Sequence, residues 1–171
     1  QALGHGLVPP VPSLFSLTLR PNPLQALAGV SQNPVALELT IPGVPERFRQ
    51  EGPLLITHWG LSGPAALRLT AFAARALHAH GYRAELRLDW SGGRSEAELE
   101  ERFAACRRDQ ARRQLGTTRP WPELSRRLWL HLLEQQGVDP QLRWADWTRR
   151  QERATIGALR GSRYAVAGRG P

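Results

Sequence analysis

Apolar and polar residues alternate along four segments of the chain. A period of two is typical of β-strands that bury one face, and the segments are PSLFSLTL (12–19), VALELTI (35–41), YRAELRLDW (82–90) and RYAVAGRG (163–170). The segment ERFRQEGPLLIT (46–57) predicts a hairpin that turns near Glu51 and Gly52. Residues 20–34 are rich in proline and predict a loop. Short strands joined by short turns favour an antiparallel sheet or a small barrel.

One helix is predicted inside this β-rich part, over residues 63–79. The segment is apolar nearly all round, because only Arg68, Arg75 and His78 form a narrow polar stripe. A helix with that pattern is typically buried. We therefore expect its N-terminus, which follows a glycine-rich turn, to be held rigidly.

Residues 95–160 contain three amphipathic helical segments. In the first, Ser95 and Glu98 form a capping box. The second is WPELSRRLWLHLLEQQG (121–137), and the third opens with Asp139 as its cap. Three such helices joined by short loops predict a small helical bundle.

Together these predictions define the fold class. We expect an α+β protein, with a small antiparallel β-barrel-like subdomain that holds one buried helix. A three-helix subdomain is inserted before the last strand. The β-rich part is assigned to residues 1–94, the helical part to 95–161 and the return strand to 162–171.

The charge of the chain raises an alternative function. The net charge is +8 at pH 7, and all 23 basic residues are arginines. A basic nucleic-acid-binding module is therefore one alternative. However, the arginines are spread along the chain, and no nucleic-acid-binding motif accompanies them. The Arg107-Arg108 and Arg112-Arg113 pairs complement a helix dipole, which we prefer to a phosphate-binding patch, and we do not expect a nucleic-acid partner.

The remaining composition indicates the compartment. The single cysteine, Cys106, cannot form an internal disulfide, and the N-terminus lacks the basic and apolar regions of a secretion signal. No apolar run reaches the ~20 residues that span a bilayer, so we expect a cytoplasmic protein with no membrane partner. The chain contains no methionine, even at position 1, which predicts a piece processed or cut from a longer protein.

The stretch GPLLITHWGLSGPAALRLT (52–70) places a serine between glycines at a strand-to-helix junction. A serine hydrolase with Ser62 as nucleophile is a second alternative, and Asp89 or Asp109 followed by His131 gives the order of a triad. The motif is incomplete, because Pro64 stands at the second glycine position of G-x-S-x-G. Such hydrolases also need repeated βαβ units, which this pattern does not predict.

A structural role accounts for the same residues. The Ser62 hydroxyl would cap the helix, Pro64 suits its first turn, and Gly60 and Gly63 permit tight backbone shapes. Free N–H groups at a helix N-terminus also favour an electron-rich ligand, so ligand contact and a plain turn both stay open. His58 is the one histidine placed as a site residue would be. No metal-ligand spacing and no G-x-G-x-x-G motif is found in the sequence.

Residues 55–67, Leu-Ile-Thr-His-Trp-Gly-Leu-Ser-Gly-Pro-Ala-Ala-Leu, resemble the hallmark segment of the aminoacetone-oxidase-like (BaiN-type) FAD-dependent flavoproteins. The resemblance extends to Ala2–His5 with Pro10–Leu14, to the helix Leu124–Leu133 and to the strand Arg163–Gly168. It covers nearly the whole chain. The Thr-His-x-Gly-Leu-Ser-Gly-Pro segment is the specific part.

The resemblance implies that this chain is the insert domain of such an oxidoreductase. A flanking domain of the same polypeptide would bind FAD, and the insert would cover and shape the cleft for a small-molecule substrate. The residues implied to face this cleft are Thr57, His58, Gly60, Leu61, Ser62, Gly63 and Pro64. No catalytic residue and no metal ligand is implied, so the chain alone is expected to be inactive and to hold no cofactor.

Overall fold

The barrel is built from six strands. The computed structural model describes residues 8–170, so the Ala2–His5 segment lies outside the described residues. The strands are β1 (Leu17–Leu19), β2 (Ser31–Thr40), β3 (Arg47–Ile56), β4 (Gly60–Ser62), β5 (Ala84–Asp89) and β6 (Ser162–Arg169). They pair in the order β1–β4–β3–β2–β5–β6, and β6 returns to β1. Every pair is antiparallel, which confirms the predicted small antiparallel barrel.

Within residues 8–170, four α-helices accompany the barrel. They are α1 (Pro64–Ala79), α2 (Glu96–Asp109), α3 (Arg126–Gln135) and α4 (Arg149–Gly161). The first follows β4 directly, whereas α2, α3 and α4 all lie between β5 and β6. The predicted α+β fold, with three helices inserted before the last strand, is therefore confirmed.

The barrel interior is filled by alternate residues of the strands. On β2, Val35, Leu37 and Leu39 are at most 2% exposed. The residues between them point outward, and Glu38 there accepts a hydrogen bond of 2.6 Å from Arg49 Nε on β3. This is the pattern expected where side chains alternate between the two faces of a strand.

The hairpin predicted near Glu51 and Gly52 is wrong. Strand β3 continues through both residues, and Gly52 pairs with Val35 of β2. The turn between β2 and β3 lies earlier, where Val44 N donates to the Ile41 carbonyl at 3.0 Å. Gly52 has φ 144° and lies beside an irregularity in the β2–β3 register, and the strand continues past it. Strand β2 also begins at Ser31, inside the predicted loop.

Helix α1 is half-buried rather than enclosed. Ala65, Leu69, Ala73 and Leu77 are completely buried against the barrel, but Phe72 on the opposite face is 71% exposed. The predicted buried helix is therefore buried on the face that meets the barrel and exposed on the other. Alanines spread around the helix make its outer face apolar in sequence although it is not packed.

The third predicted helix begins later than the sequence pattern indicates. Helix α4 starts after Thr148, which forms a capping box with Gln151. Asp139 is not its cap, because its carboxylate accepts a hydrogen bond of 2.8 Å from Gln141 N in a local turn. The Ser95–Glu98 capping box of α2 is confirmed. Helix α3 begins only after Ser125.

The helical part has its own aromatic core. Phe103, Trp129, Trp144 and Trp147 are at most 3% exposed, and their ring centroids lie between 5.1 and 6.3 Å apart. Gln32 of β2 connects this part to the barrel. Its Nε2 donates to the Glu123 carbonyl at 3.2 Å, and its Oε1 accepts from Ser125 N at 2.8 Å.

Candidate functional site

The hallmark turn, residues 57–64 of the hallmark segment, runs from the end of β3 through β4 to the start of α1. Thr57 N donates to the Gly60 carbonyl at 2.8 Å, and Gly60 N donates to Thr57 Oγ1 at 3.1 Å. These bonds close a tight turn between β3 and β4. Strand β4 then ends at Ser62, and α1 begins at Pro64.

Two glycines of the turn are required by close backbone contacts. A Cβ atom on Gly60, at φ 156°, would collide with the Leu17 carbonyl oxygen of β1. A Cβ atom on Gly63, at φ 94°, would lie 2.9 Å from Leu55 N. The backbone of the turn is thus packed directly against two neighbouring strands. Residues with a Cβ atom do not fit at these two positions.

Ser62 does not cap α1, and the part of the chain that the structure describes offers it no catalytic partner. The N-cap of α1 is Gly63, with no side-chain hydrogen bond, so the predicted Ser62 cap is wrong. The Ser62 hydroxyl instead accepts a hydrogen bond of 2.9 Å from the Ser16 hydroxyl. Among residues 8–170, no histidine is hydrogen-bonded to Ser62, and His131 belongs to α3 in the helical part. The arrangement is that of a structural serine.

The chain enters the barrel just before β1 and leaves it just after β6. Both of these points lie beside the hallmark turn. Gly170 N, just after β6, donates to the Ser16 carbonyl at 2.6 Å, just before β1. Leu19 N donates to the Trp59 carbonyl at 2.9 Å. A Cβ atom on Gly170 would lie 2.9 Å from Cδ1 of Trp59, so the indole ring lies against the Gly170 backbone. We call residues 14–16, 57–64 and 168–170 together the barrel edge.

The barrel edge exposes apolar side chains. Trp59 is 41% exposed and Leu14 is 63% exposed. Leu14 has φ 57°, which is rare for a leucine. The next residue is fixed, because Phe15 N donates to Thr70 Oγ1 at 3.2 Å and the Phe15 carbonyl accepts from the same hydroxyl at 3.1 Å. The fold therefore holds Leu14 outward in a strained conformation.

A comparison with protein families decides the family. The family model described as HI0933-like protein barrel and H2TH domain matches residues 11–171. The chain belongs to the HI0933-like family. This barrel-and-helices unit corresponds to the insert domain of the HI0933/BaiN-type flavoproteins, as the resemblance of residues 55–67 indicated. A comparison with curated proteins gives no match.

The seven candidate residues of the hallmark turn lie in different environments. His58 and Pro64 are exposed, whereas Thr57, Ser62 and Gly63 are half-buried. Leu61 is completely buried in the barrel and pairs with Leu17, so its side chain supports the turn from within. The exposed His58 is oriented through its backbone, because its carbonyl accepts from Asn22 Nδ2 at 3.0 Å.

Sequence reasoning did not single out three residues of the barrel edge. Leu14, Ser16 and Trp59 belong to the barrel edge, but none stands out in a motif that carries chemistry. Trp59 alone had a detectable signal, since a large aromatic residue in a tight turn is poorly placed for a core.

Among residues 8–170, no group of three or more histidine, cysteine, aspartate or glutamate side chains is arranged to hold a metal ion. Within the same range, none of the helices is long and apolar enough to cross a membrane.

Proposed function

We propose that the barrel edge covers the flavin and substrate cleft of a flanking FAD-binding domain in the same polypeptide. The complete protein would be an oxidoreductase in which FAD exchanges electrons with a small-molecule substrate. This chain would shape the cleft and exclude water from it. Thr57, His58, Gly60, Ser62, Gly63 and Pro64 are the residues we place nearest to the cleft.

The observation that carries the proposal is the hydrogen bond of 2.6 Å from Gly170 N to the Ser16 carbonyl. A domain inserted into another has its entry and its exit side by side, and the surface around them faces the host domain. The hallmark turn lies at this surface, because Trp59 contacts Gly170 and the Ser62 hydroxyl contacts Ser16. The turn would therefore face the flavin domain.

The chemistry of the barrel edge fits an interdomain contact. Leu14 and Trp59 leave apolar surface exposed beside the two connections. A flanking domain that packs on this surface would cover both side chains. The chain contains no phosphate-binding glycine loop, so the dinucleotide part of FAD would be held by the flanking domain.

The test uses the polypeptide encoded by the whole open reading frame. Trp59→Ala should leave the FAD content unchanged but lower kcat by about tenfold or more, because the cleft loses its cover and positioning. Phe72→Ala is the matched control, since it removes another exposed aromatic side chain from the same barrel part. It should change kcat by less than about twofold. Equal activity of the two variants would contradict the proposal.

A second measurement uses residues 1–171 alone. The isolated domain should be colourless, retain no FAD through gel filtration and turn over no substrate. Stoichiometric flavin on the isolated domain would overturn the assignment of FAD binding to a flanking domain.

A further inference from the structure

The helical part contains an open pocket of about 410 Å³, which lies between α2 and the segment leading to α3. It shares no residue with the barrel edge, and an inference about it goes beyond the proposed function. Three arginines line it, Arg102, Arg113 and Arg119, against one carboxylate, that of Asp109. The lining therefore carries an excess of positive charge.

Two of the three guanidinium groups are fixed by backbone carbonyls. Arg102 Nε donates to the Pro120 carbonyl, and Arg119 Nη1 donates to the Leu124 carbonyl at 3.1 Å. A guanidinium group has five N–H donors, so each retains donors for a ligand. Because these side chains are already ordered, a ligand that binds them loses less conformational entropy.

The three arginines have no acidic partner within residues 8–170. Other arginines in that range do, as in the Arg163–Glu85 pair at 2.8 Å and the Arg49–Glu38 pair at 2.6 Å. None of the ion pairs found there includes Arg102, Arg113 or Arg119. An anion in the pocket would supply the missing negative charge.

The charge of the lining suits a doubly charged anion. Three arginines against the single carboxylate of Asp109 leave an excess of two positive charges. A phosphate group, which carries about −1.5 to −2 charges at pH 7, would neutralise that excess.

We propose that this pocket binds a phosphate-type oxyanion, either inorganic phosphate or the phosphate group of a small ester. Arg102, Arg113 and Arg119 bind the charged oxygens. The pocket is larger than one phosphate ion and has room for the organic part of an ester.

Calorimetric titration of the 171-residue chain tests this proposal, with inorganic phosphate and adenosine 5′-monophosphate as separate ligands. We expect saturable binding of at least one, which also identifies the source of the phosphate group. Arg113→Gln combined with Arg119→Gln should weaken binding by about tenfold or more, since each removes charge-assisted hydrogen bonds. Arg113→Gln alone, which breaks no contact to the backbone, should weaken it in the same direction.

The control is Arg150→Gln combined with Arg153→Gln, which removes the same charge from exposed positions of α4 outside the pocket. It should change the affinity by less than about twofold, because charges remote from the ligand are screened by salt. Equal weakening by both double variants, or no saturable binding of either ligand, would overturn the proposal.

Discussion

The Ser16 hydroxyl donates a hydrogen bond to the Ser62 hydroxyl, with 2.9 Å between the two oxygens. Ser16 precedes β1 and Ser62 ends β4, so the bond joins the entry of the barrel to the hallmark turn. The carbonyl of the same Ser16 accepts the N–H of Gly170 at the exit. One residue thus connects the three segments of the barrel edge.

Ser16→Ala should lower the free energy of unfolding by about 1 kcal/mol, because the variant removes a hydrogen bond at a side chain that is only 5% exposed. Amides of β4 should exchange with deuterium faster in the variant. Ser13→Ala, at an exposed position of the same segment, is the control. Chemical denaturation and hydrogen exchange that failed to distinguish the two variants would argue against this connection.

Gly60→Ala should destabilise the barrel by more than about 4 kcal/mol or prevent folding, because the added Cβ atom collides with the Leu17 carbonyl oxygen. Gly157→Ala is a matched control in α4, where an added Cβ atom meets nothing within 4 Å. It should stabilise the protein by about 0.5–1 kcal/mol, since alanine is the better helix former. Thermal unfolding of both variants checks the opposite signs.

Glu152→Ala should lower the free energy of unfolding by about 3 kcal/mol, because it leaves the largely buried Arg107 without its carboxylate. The Glu152 side chain is 2% exposed and its Oε2 lies 2.6 Å from Arg107 Nη2. Glu96→Ala is the control, since its pair with Arg160 is long, at 3.6 Å, and solvent-exposed. Its effect should stay below about 0.5 kcal/mol in urea denaturation. Similar losses in both variants would contradict the distinction between buried and exposed pairs.

Because of His131, the free energy of unfolding of the domain should decrease as the pH is lowered. Burial lowers the pKa of His131 below its usual value of 6.5, and the charge of Glu134 only partly opposes this shift. The unfolded chain therefore binds a proton more readily, so stability is complete above about pH 6.5 and decreases as the pH falls towards the folded-state pKa. His131→Gln should flatten the dependence of the unfolding free energy between pH 5 and 7, relative to the exposed-site control His78→Gln. Parallel pH profiles for the two variants would refute the claim that His131 causes the loss of stability at low pH.

Much of the fold follows from periodicity in the sequence. Leu37 and Leu39 alternate with the polar residues Glu38 and Thr40, and that alternation predicts the inner and outer faces of β2. The capping box of Ser95 and Glu98 likewise marks the start of α2, because the side chains that satisfy the free N–H groups are local.

The errors arise at residues whose type suits more than one structure. Gly52 resembles a turn residue, but its place within β3 depends on pairing with Val35, which is distant in sequence. Asp139 resembles a helix cap, yet its local hydrogen bond to Gln141 N completes a turn before α4 begins. Both residues are compatible with two local structures.

The candidate site was only partly predictable, because its contacts join residues that are distant in sequence. The glycines of the turn were visible in the sequence, but their need for close contact with β1 and β3 was not. Ser62 was predicted to bond locally to α1, whereas its partner is Ser16, forty-six positions away. The exposed Leu14 and Trp59 belong to the site only because the two connections of the barrel meet there.

The most direct test of the central claim is a crosslinking measurement on the polypeptide encoded by the whole open reading frame. A photo-crosslinking amino acid replaces Trp59 in one variant and Phe72 in a control variant, and mass spectrometry identifies the linked peptides. We predict that position 59 crosslinks to peptides of a flavin-binding domain outside residues 1–171, and that position 72 does not. The absence of such a crosslink at position 59, or its appearance at position 72 alone, would contradict the claim that the barrel edge covers the flavin cleft.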